Sequence, residues 1–207
     1  MKTRRCNRIE ISIISQFIMK AKNCNKIFEK AIDDFHKNEN VDTPISNPFD
    51  EKSLENVMYE KCWIDTVQWH LEDLIRIPEL DPKDAFALKQ RIDKSNQNRT
   101  DMVEKIDDYF YDLFKTASKN ALKMNTESPG WVVDRLSILC LKIFHMNEQV
   151  LRGDVEKKHI VECQEKLNIL NLQQVDLSNS FDQLLEDYNN GNKKMKVYRQ
   201  MKMYNDA

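Results

Sequence analysis

Between Ile160 and Tyr188 the apolar side chains recur at alternating three- and four-residue steps, through Cys163, Leu167, Leu170, Leu177, Phe181 and Leu184, with Gln174 the polar interruption. At 3.6 residues per turn this seam runs for about eight helical turns. A strand alternates at every second residue, so the spacing commits the segment to a helix with a bundle or coiled-coil seam. Such a helix cannot bury its seam alone, and the rest of the chain must supply partners. Only three Gly and five Pro occur among 207 residues, far too few for a turn-rich β architecture. The expectation is an all-α fold, an antiparallel up-down bundle of four long helices with an additional N-terminal helix.

The other helices follow from stripes and stops. An N-terminal helix is expected over residues 20–36, with Ile27, Ala31, Ile32 and Phe35 on one face, ended by the turn-rich KNENVDTPISNPF. A second, over 53–76, carries Val57, Ile64, Val67, Leu71 and Ile75. Pro78 closes it, and Asp81 with Pro82 supplies the N-cap and first helical residue of a third helix over 82–115. Ser128 and Pro129 open a fourth that stops at Gly153, Asp154 caps the fifth, and Gly191 ends it. The domain boundaries follow: residues 1–18 as a poorly ordered or mis-assigned extension, 19–191 as one bundle, and 192–207 as a basic Met- and Tyr-rich tail.

Net charge of -2 removes any global field toward nucleic acid, and no stretch approaches the ~18 apolar residues of a membrane span. The basic start, MKTRRCNRIEISIISQFIMKA, has its apolar run broken by Glu10, Ser12, Ser15 and Gln16, so a signal peptide is not expected. Cys6, Cys24, Cys62, Cys140 and Cys163 are odd in number and lack a Cys-x-x-Cys. They read as reduced core thiols of a cytoplasmic protein.

Within the third helix, Leu88, Ile92, Met102, Val103, Ile106, Phe110 and Leu113 form one narrow sector at about 100° per residue, and Ser95 and Arg99 fall at its centre. A guanidinium keeps its charge, so burial demands a partner. A hairpin turn near residue 79 brings Glu60 level with Arg99, and Glu60 lies inside the second helix's own apolar sector. A buried Glu60–Arg99 ion pair is therefore expected, in a polar layer with Ser95. On the fourth helix Asp134, Arg135, Ser137, Lys142, His145 and Glu148 share a sector that also holds Ile138 and Leu141, which calls for a covering segment. The basic tail is one candidate. Two readings compete for this layer: a register lock, or an anion pocket in which Arg99, Lys142 and Arg135 hold a phosphate or carboxylate near Asp134 while His145 handles a proton.

No other spacing specifies chemistry. Asp101, Glu104, Asp107 and Asp108 have the i, i+3, i+4 spacing of helical magnesium-dependent pyrophosphohydrolases, but they point mainly away from the apolar stripe and read as a solvated acidic face. His70, next to Trp63 in the helix wheel, reads as a satisfied boundary histidine, and His36 and His159 as more exposed. No metal ligand set and no cofactor are expected. There is no phosphate loop, nucleophile elbow or defensible Cys-His pairing, so enzymatic activity is left open.

Three stretches carry a family resemblance: YEKCWIDTVQWHLEDLIR (59–76) continuing to RIDKSNQNRTDMVEKIDDYF (91–110), SPGWVVDRLSILCLKIFHM (128–146), and MKVYRQMKMYND (195–206). With NCNKIFEKAIDDFH at the start, the chain resembles the uncharacterised bacterial family catalogued as domain of unknown function 4254, over about residues 23–206. The first 18 residues lie outside the resemblance, which makes Met19 a candidate start. The resemblance implies an all-helical protein without assigned catalytic residues, associated with envelope polysaccharide gene neighbourhoods. The leading expectation is thus a non-catalytic interaction or accessory protein, with a protein partner or a second copy bound through the fifth helix or the tail. The alternative is a protein or enzyme that binds an anionic small molecule, a phosphorylated sugar or nucleotide, through Arg99, Lys142 and His145. Metal-dependent pyrophosphate hydrolysis stands third.

Overall fold

A computed structural model describes residues 19–201. Expectations for residues 1–18 and for the end of the tail lie outside the described residues. The described chain forms five helices: α1 (Ala21–His36), α2 (Leu54–Leu74), α3 (Pro82–Phe114), α4 (Pro129–Val150) and α5 (Lys157–Asn189). Among the described residues there is no sheet, and the single isolated bridge joins Lys123 to Lys193. The fold is all-α, with helix packed on helix. No described helix is long and apolar enough to cross a membrane.

The stops act largely as their chemistry requires. Ser53 accepts a hydrogen bond from the Asn56 N–H at 3.1 Å, and the Asp81 carboxylate accepts one from the Lys83 N–H at 2.8 Å with Pro82 at the first helical position. Gly191 ends α5 at φ +70°, where its missing side chain matters. Two expected caps differ. Asp154 binds Arg152 at 2.8 Å, and α5 starts later, behind Glu156. Ser128 does stand at the N-cap of α4, but its hydroxyl donates to Asp107 at 2.6 Å.

α4 packs against all four other helices, and α2 meets three of them, α1, α3 and α4. α2 is consequently buried on several sides, through Met58, Tyr59, Lys61, Cys62, Trp63, Asp65 and Thr66. Of the expected stripe Leu71 is buried, but Val57, Ile64, Val67 and Ile75 are only half-buried. A stripe reading presumes one buried face, and α2 has more than one. Its neighbours contribute Phe28, Phe35, Ile106, Phe110, Leu136 and Phe181 to a continuous core, each fully buried large side chain contributing about 1.5–3 kcal/mol. The seam of α5 turns inward through Cys163, Leu167, Phe181, Leu184 and Tyr188.

α3 and α4 approach closely at Gly130. A Cβ there would lie 2.6 Å from the Val103 carbonyl oxygen, and the Gly130 N–H donates to the Asp107 carboxylate at 2.7 Å. The described part of the tail packs on its own chain: Lys194 N–H donates to the Lys123 carbonyl at 2.7 Å, Met195 is buried, and Arg199 pairs with Glu104 and Asp108. It therefore covers the C-terminal half of α3 and the 118–128 connection. Up to Met201 it leaves the Ile138–Lys142 face of α4 clear.

Candidate functional site

Arg99 meets two carboxylates, neither of them Glu60. Its Nε and Nη2 donate to the two oxygens of Asp134, each at 2.9 Å, and its Nε lies 3.2 Å from Asp65. The expected Glu60–Arg99 pair is thus corrected. Glu60 is half-buried, and none of the described ion pairs includes it. The residue sequence reasoning passed over is its neighbour, Lys61, whose side chain is 0% exposed. Lys61 bonds Asp65 one turn on and reaches Asp134 at 2.8 Å, while Ser137 donates to Asp65 at 2.6 Å. Two cations and two carboxylates from α2, α3 and α4 therefore close a neutral cluster. Ser95 is buried alongside and donates to Gln68 at 3.1 Å.

The two carboxylates are inequivalent. Burial, with Asp134 as a like-charged neighbour, raises the pKa of Asp65 against the pull of Lys61 and Arg99. At Asp134 the same burial is outweighed by Lys61 and Arg99, and its pKa is lowered. Burial also works against the Arg99 cation, but Asp134 and Asp65 raise its pKa all the same.

Arg99 retains 28% side-chain exposure and sits where two clefts meet. One, of about 260 Å³, lies toward Gln68, Trp69 and Arg76; the other, of about 560 Å³, is lined by Arg99, Asp134, Arg135, Lys142 and the Gln173–Ser180 stretch of α5. Four of the five expected ligand-binding residues thus face one cleft. The fifth, His145, lies in the adjoining cleft of about 550 Å³, which Lys142 also lines, with Trp69, Met146, Lys166, Ile169 and Leu170 around it. Arg135 is paired with Glu127 at the surface, whereas Lys142 is exposed at the lip common to both clefts.

The acidic run on α3 does not converge. Asp101 accepts from Gln97, Glu104 and Asp108 hold Arg199, and Asp107 is buried, bonded to Ser128 and Gly130. Asp107 is thereby a correction to the solvated-face reading: it fastens the start of α4 to α3.

Histidines supply the set able to hold a metal among the described residues. His36 at the end of α1, His70 on α2 and His145 on α4 each offer a ring nitrogen, and the three nitrogens lie within 4.8 Å of one another. His36 is half-buried, contrary to the more exposed position expected. Burial, with His36 and His145 as neighbours, lowers the pKa of His70. The residues stand 34 and 75 positions apart, and no local spacing signals them.

The protein so defined is an all-α bundle with an internal ion cluster at the floor of a surface groove. The family model for a protein of unknown function, DUF4254, matches residues 55–197, and the chain belongs to that family. The match spans the ion cluster, two of the three histidines and the groove. No curated protein and no solved structure matches the chain.

Proposed function

We propose that this bundle is a binding protein for an anionic small molecule with an apolar body, held along the outer face of α4. The observation that carries the reading is the place of Lys142: an exposed ammonium at the common lip of two clefts of about 550 and 560 Å³. Each is in the size range of small-molecule sites, about 300–1,000 Å³. Around one, Lys166 and Lys142 share the lining with the single carboxylate of Asp73 and the apolar Trp69, Met146, Ile169 and Leu170. Around the other, Arg99 and Arg135 add cationic groups, but Arg99 is matched by Asp134 and Asp65, Arg135 is paired with Glu127, and Asp176 also lines the cleft. Lys142 and Lys166 are therefore the anion contacts, and Arg99 is first a structural group. A phosphorylated sugar or nucleotide fits this chemistry and would connect the chain to envelope glycan synthesis.

Thermal-shift screening of the purified chain against sugar phosphates, nucleotides and sugar nucleotides tests the reading. The expected result is a concentration-dependent rise in Tm that Lys142→Ala weakens at least about tenfold in affinity, one tenfold step being 1.4 kcal/mol. No stabilisation by any anion, or equal stabilisation of Lys142→Ala, would overturn it.

A second reading, an interaction protein, is favoured by α5, whose outward side exposes Val161, Leu172 and Val175, with Ile169 at the edge of the cleft. Apolar residues in such a row on a helix whose seam is already satisfied suit a protein partner or a second copy. Light scattering across a concentration series checks the second copy. A monomer at all concentrations removes it.

A further inference from the structure

We propose that His36, His70 and His145 form a binding site for a transition-metal dication of the zinc class, ligated through their three Nε2 atoms. The site is independent of the groove reading and its ligands are different residues from the groove's anion contacts, although His145 and the Trp69 stacked on it also border the groove.

Tautomer accounting carries the first step. His36 Nδ1 lies 2.7 Å from the Ile32 carbonyl oxygen, which can only accept, so the proton of neutral His36 sits on Nδ1 and its Nε2 carries a lone pair. His145 Nδ1 lies 2.7 Å from the Glu148 carboxylate, an acceptor when ionised, and its Nε2 likewise carries a lone pair. That Nε2 is buried and has no hydrogen-bond partner. His70 Nε2 lies 3.2 Å from His36 Nε2, and one N–H from His70 satisfies His36 while leaving His145 unanswered. A cation among the three nitrogens satisfies all of them at once.

Geometry supplies the second step. The ring centroids stand 5.2, 5.2 and 5.5 Å apart, a nearly equilateral triangle, and the planes cross at 59°, 68° and 74°. The rings cross rather than stack on one another, and a nitrogen of each lies within 4.8 Å of those of the other two. Zinc–nitrogen bonds of about 2.0–2.1 Å at tetrahedral angles place ligand nitrogens about 3.3 Å apart. The His36–His70 separation of 3.2 Å already has that value, and the remaining nitrogens, within 4.8 Å, need to close by up to about 1.5 Å at the widest pair.

The surroundings hold the rings for this purpose. Phe35 stacks on His70 at 5.0 Å, Trp69 on His145 at 4.8 Å, and Phe144 lies 4.2 Å from His36. Each ring is thus restrained by an aromatic neighbour, and two of the three have their outer nitrogen fixed by an acceptor. Glu148 behind His145 and the Ile32 carbonyl behind His36 are the partners that orient imidazoles toward a metal and increase their basicity. Neutral imidazoles suit zinc, copper, iron and nickel and disfavour magnesium or calcium. Three protein ligands leave a coordination position for an exogenous ligand such as water.

The test uses the full chain, stripped with a chelator and titrated with Zn2+ alone and, separately, Co2+ alone. One equivalent of Zn2+ is expected, with a rise in Tm. Co2+ is expected to give the visible bands of a four- or five-coordinate nitrogen site, without thiolate charge-transfer. His70→Ala and His36→Ala should each lower Zn2+ affinity by more than tenfold, Glu148→Gln by about 10–100-fold, and His159→Ala, at the separate His159–Cys163 contact, should leave it unchanged. Less than half an equivalent bound by the wild-type chain, six-coordinate Co2+ spectra, or equal loss in His159→Ala would overturn the proposal. The wild-type titrations decide it even if an alanine variant fails to fold. Lys142→Ala should retain the metal, so failure here and failure of the groove reading are separable.

Discussion

The ion cluster and the histidine trio are built from the same parts, polar side chains on three neighbouring helices, and they balance their chemistry in opposite ways. Around Arg99 every charge has an opposite, from Lys61–Asp65 through Asp134, and Ser137 adds a hydrogen bond, although the Asp65 Oδ1 that faces Arg99 at 3.2 Å is held by charge alone, without a hydrogen bond. Around His145 the neighbours are the same kind of group: His36 Nε2 and His145 Nε2 both present lone pairs inward, and the latter has no hydrogen-bond partner. A set whose charges cancel fixes the packing of its helices. A set whose acceptors converge has affinity left for something else.

The largest effect should come from breaking the charge-matched set. Lys61→Met leaves Asp65 and Asp134 sharing one cation in a buried site, and the expected loss in stability is about 3–5 kcal/mol. Denaturant unfolding followed by circular dichroism measures it. Adding Asp65→Leu to Lys61→Met leaves the single Arg99–Asp134 pair and should recover much of the loss. A cost below about 1 kcal/mol for Lys61→Met, the scale of an exposed pair, would mean that the cluster is not a lock.

Gly130→Ala probes the same helix pair by sterics rather than charge. The new methyl meets the Val103 carbonyl and Asp107 carboxylate inside 3 Å, and backbone cannot swing away as a side-chain tip can. A destabilisation of about 1–3 kcal/mol is expected from this overpacking. Little change in the denaturation midpoint would show that α3 and α4 separate readily, and the ion cluster would then have less to hold.

Much of this arrangement is legible in the chain, for identifiable reasons. Helix bounds follow from Ser53, Asp81–Pro82, Pro129 and Gly191, local signals whose physics needs no neighbour. Arg99 is conspicuous because α3 has one buried stripe, and a charge in it stands out. Its partners are hidden by two circumstances. Lys61 and Asp65 lie on α2, which is buried on several sides, so no single stripe marks them as interior, and the wheel favoured Glu60 one position away. Asp134 lies beyond the 115–128 connection, whose irregular path erases register between α3 and α4. The histidines are hidden more deeply still. Their grouping depends on α1, α2 and α4 meeting at one end, a tertiary fact with no counterpart in residue spacing.

His70→Ala should separate the two regions directly. With chelator present, a half-buried ring that is not part of a closed charge network should cost about 1 kcal/mol, well under Lys61→Met. With Zn2+ present, the wild-type chain should gain stability that His70→Ala does not. Equal large losses in both variants without metal would make the trio a second lock and end the contrast.

Acid should distinguish the surface from the interior by the sign of its effect. Asp34, although burial raises its pKa somewhat, accepts from Lys37, Lys30 and Tyr59, and these hold it at about 2. An unfolded aspartate titrates near 3.9. Its folded pKa is depressed, so its contribution is present above about pH 4 and is lost as pH falls through about 2. Asp134 acts in the same direction, while Asp65, with its raised pKa, favours the folded chain as it takes up its proton. The two members of the ion cluster therefore oppose each other, and Asp34→Asn should flatten the acid side of the stability profile by removing a contribution that nothing in its own cluster offsets. Unfolding midpoints at pH 5, 4 and 3 compare the two chains; parallel profiles would show that the Lys30, Lys37 and Tyr59 contacts do not hold Asp34 in its charged form.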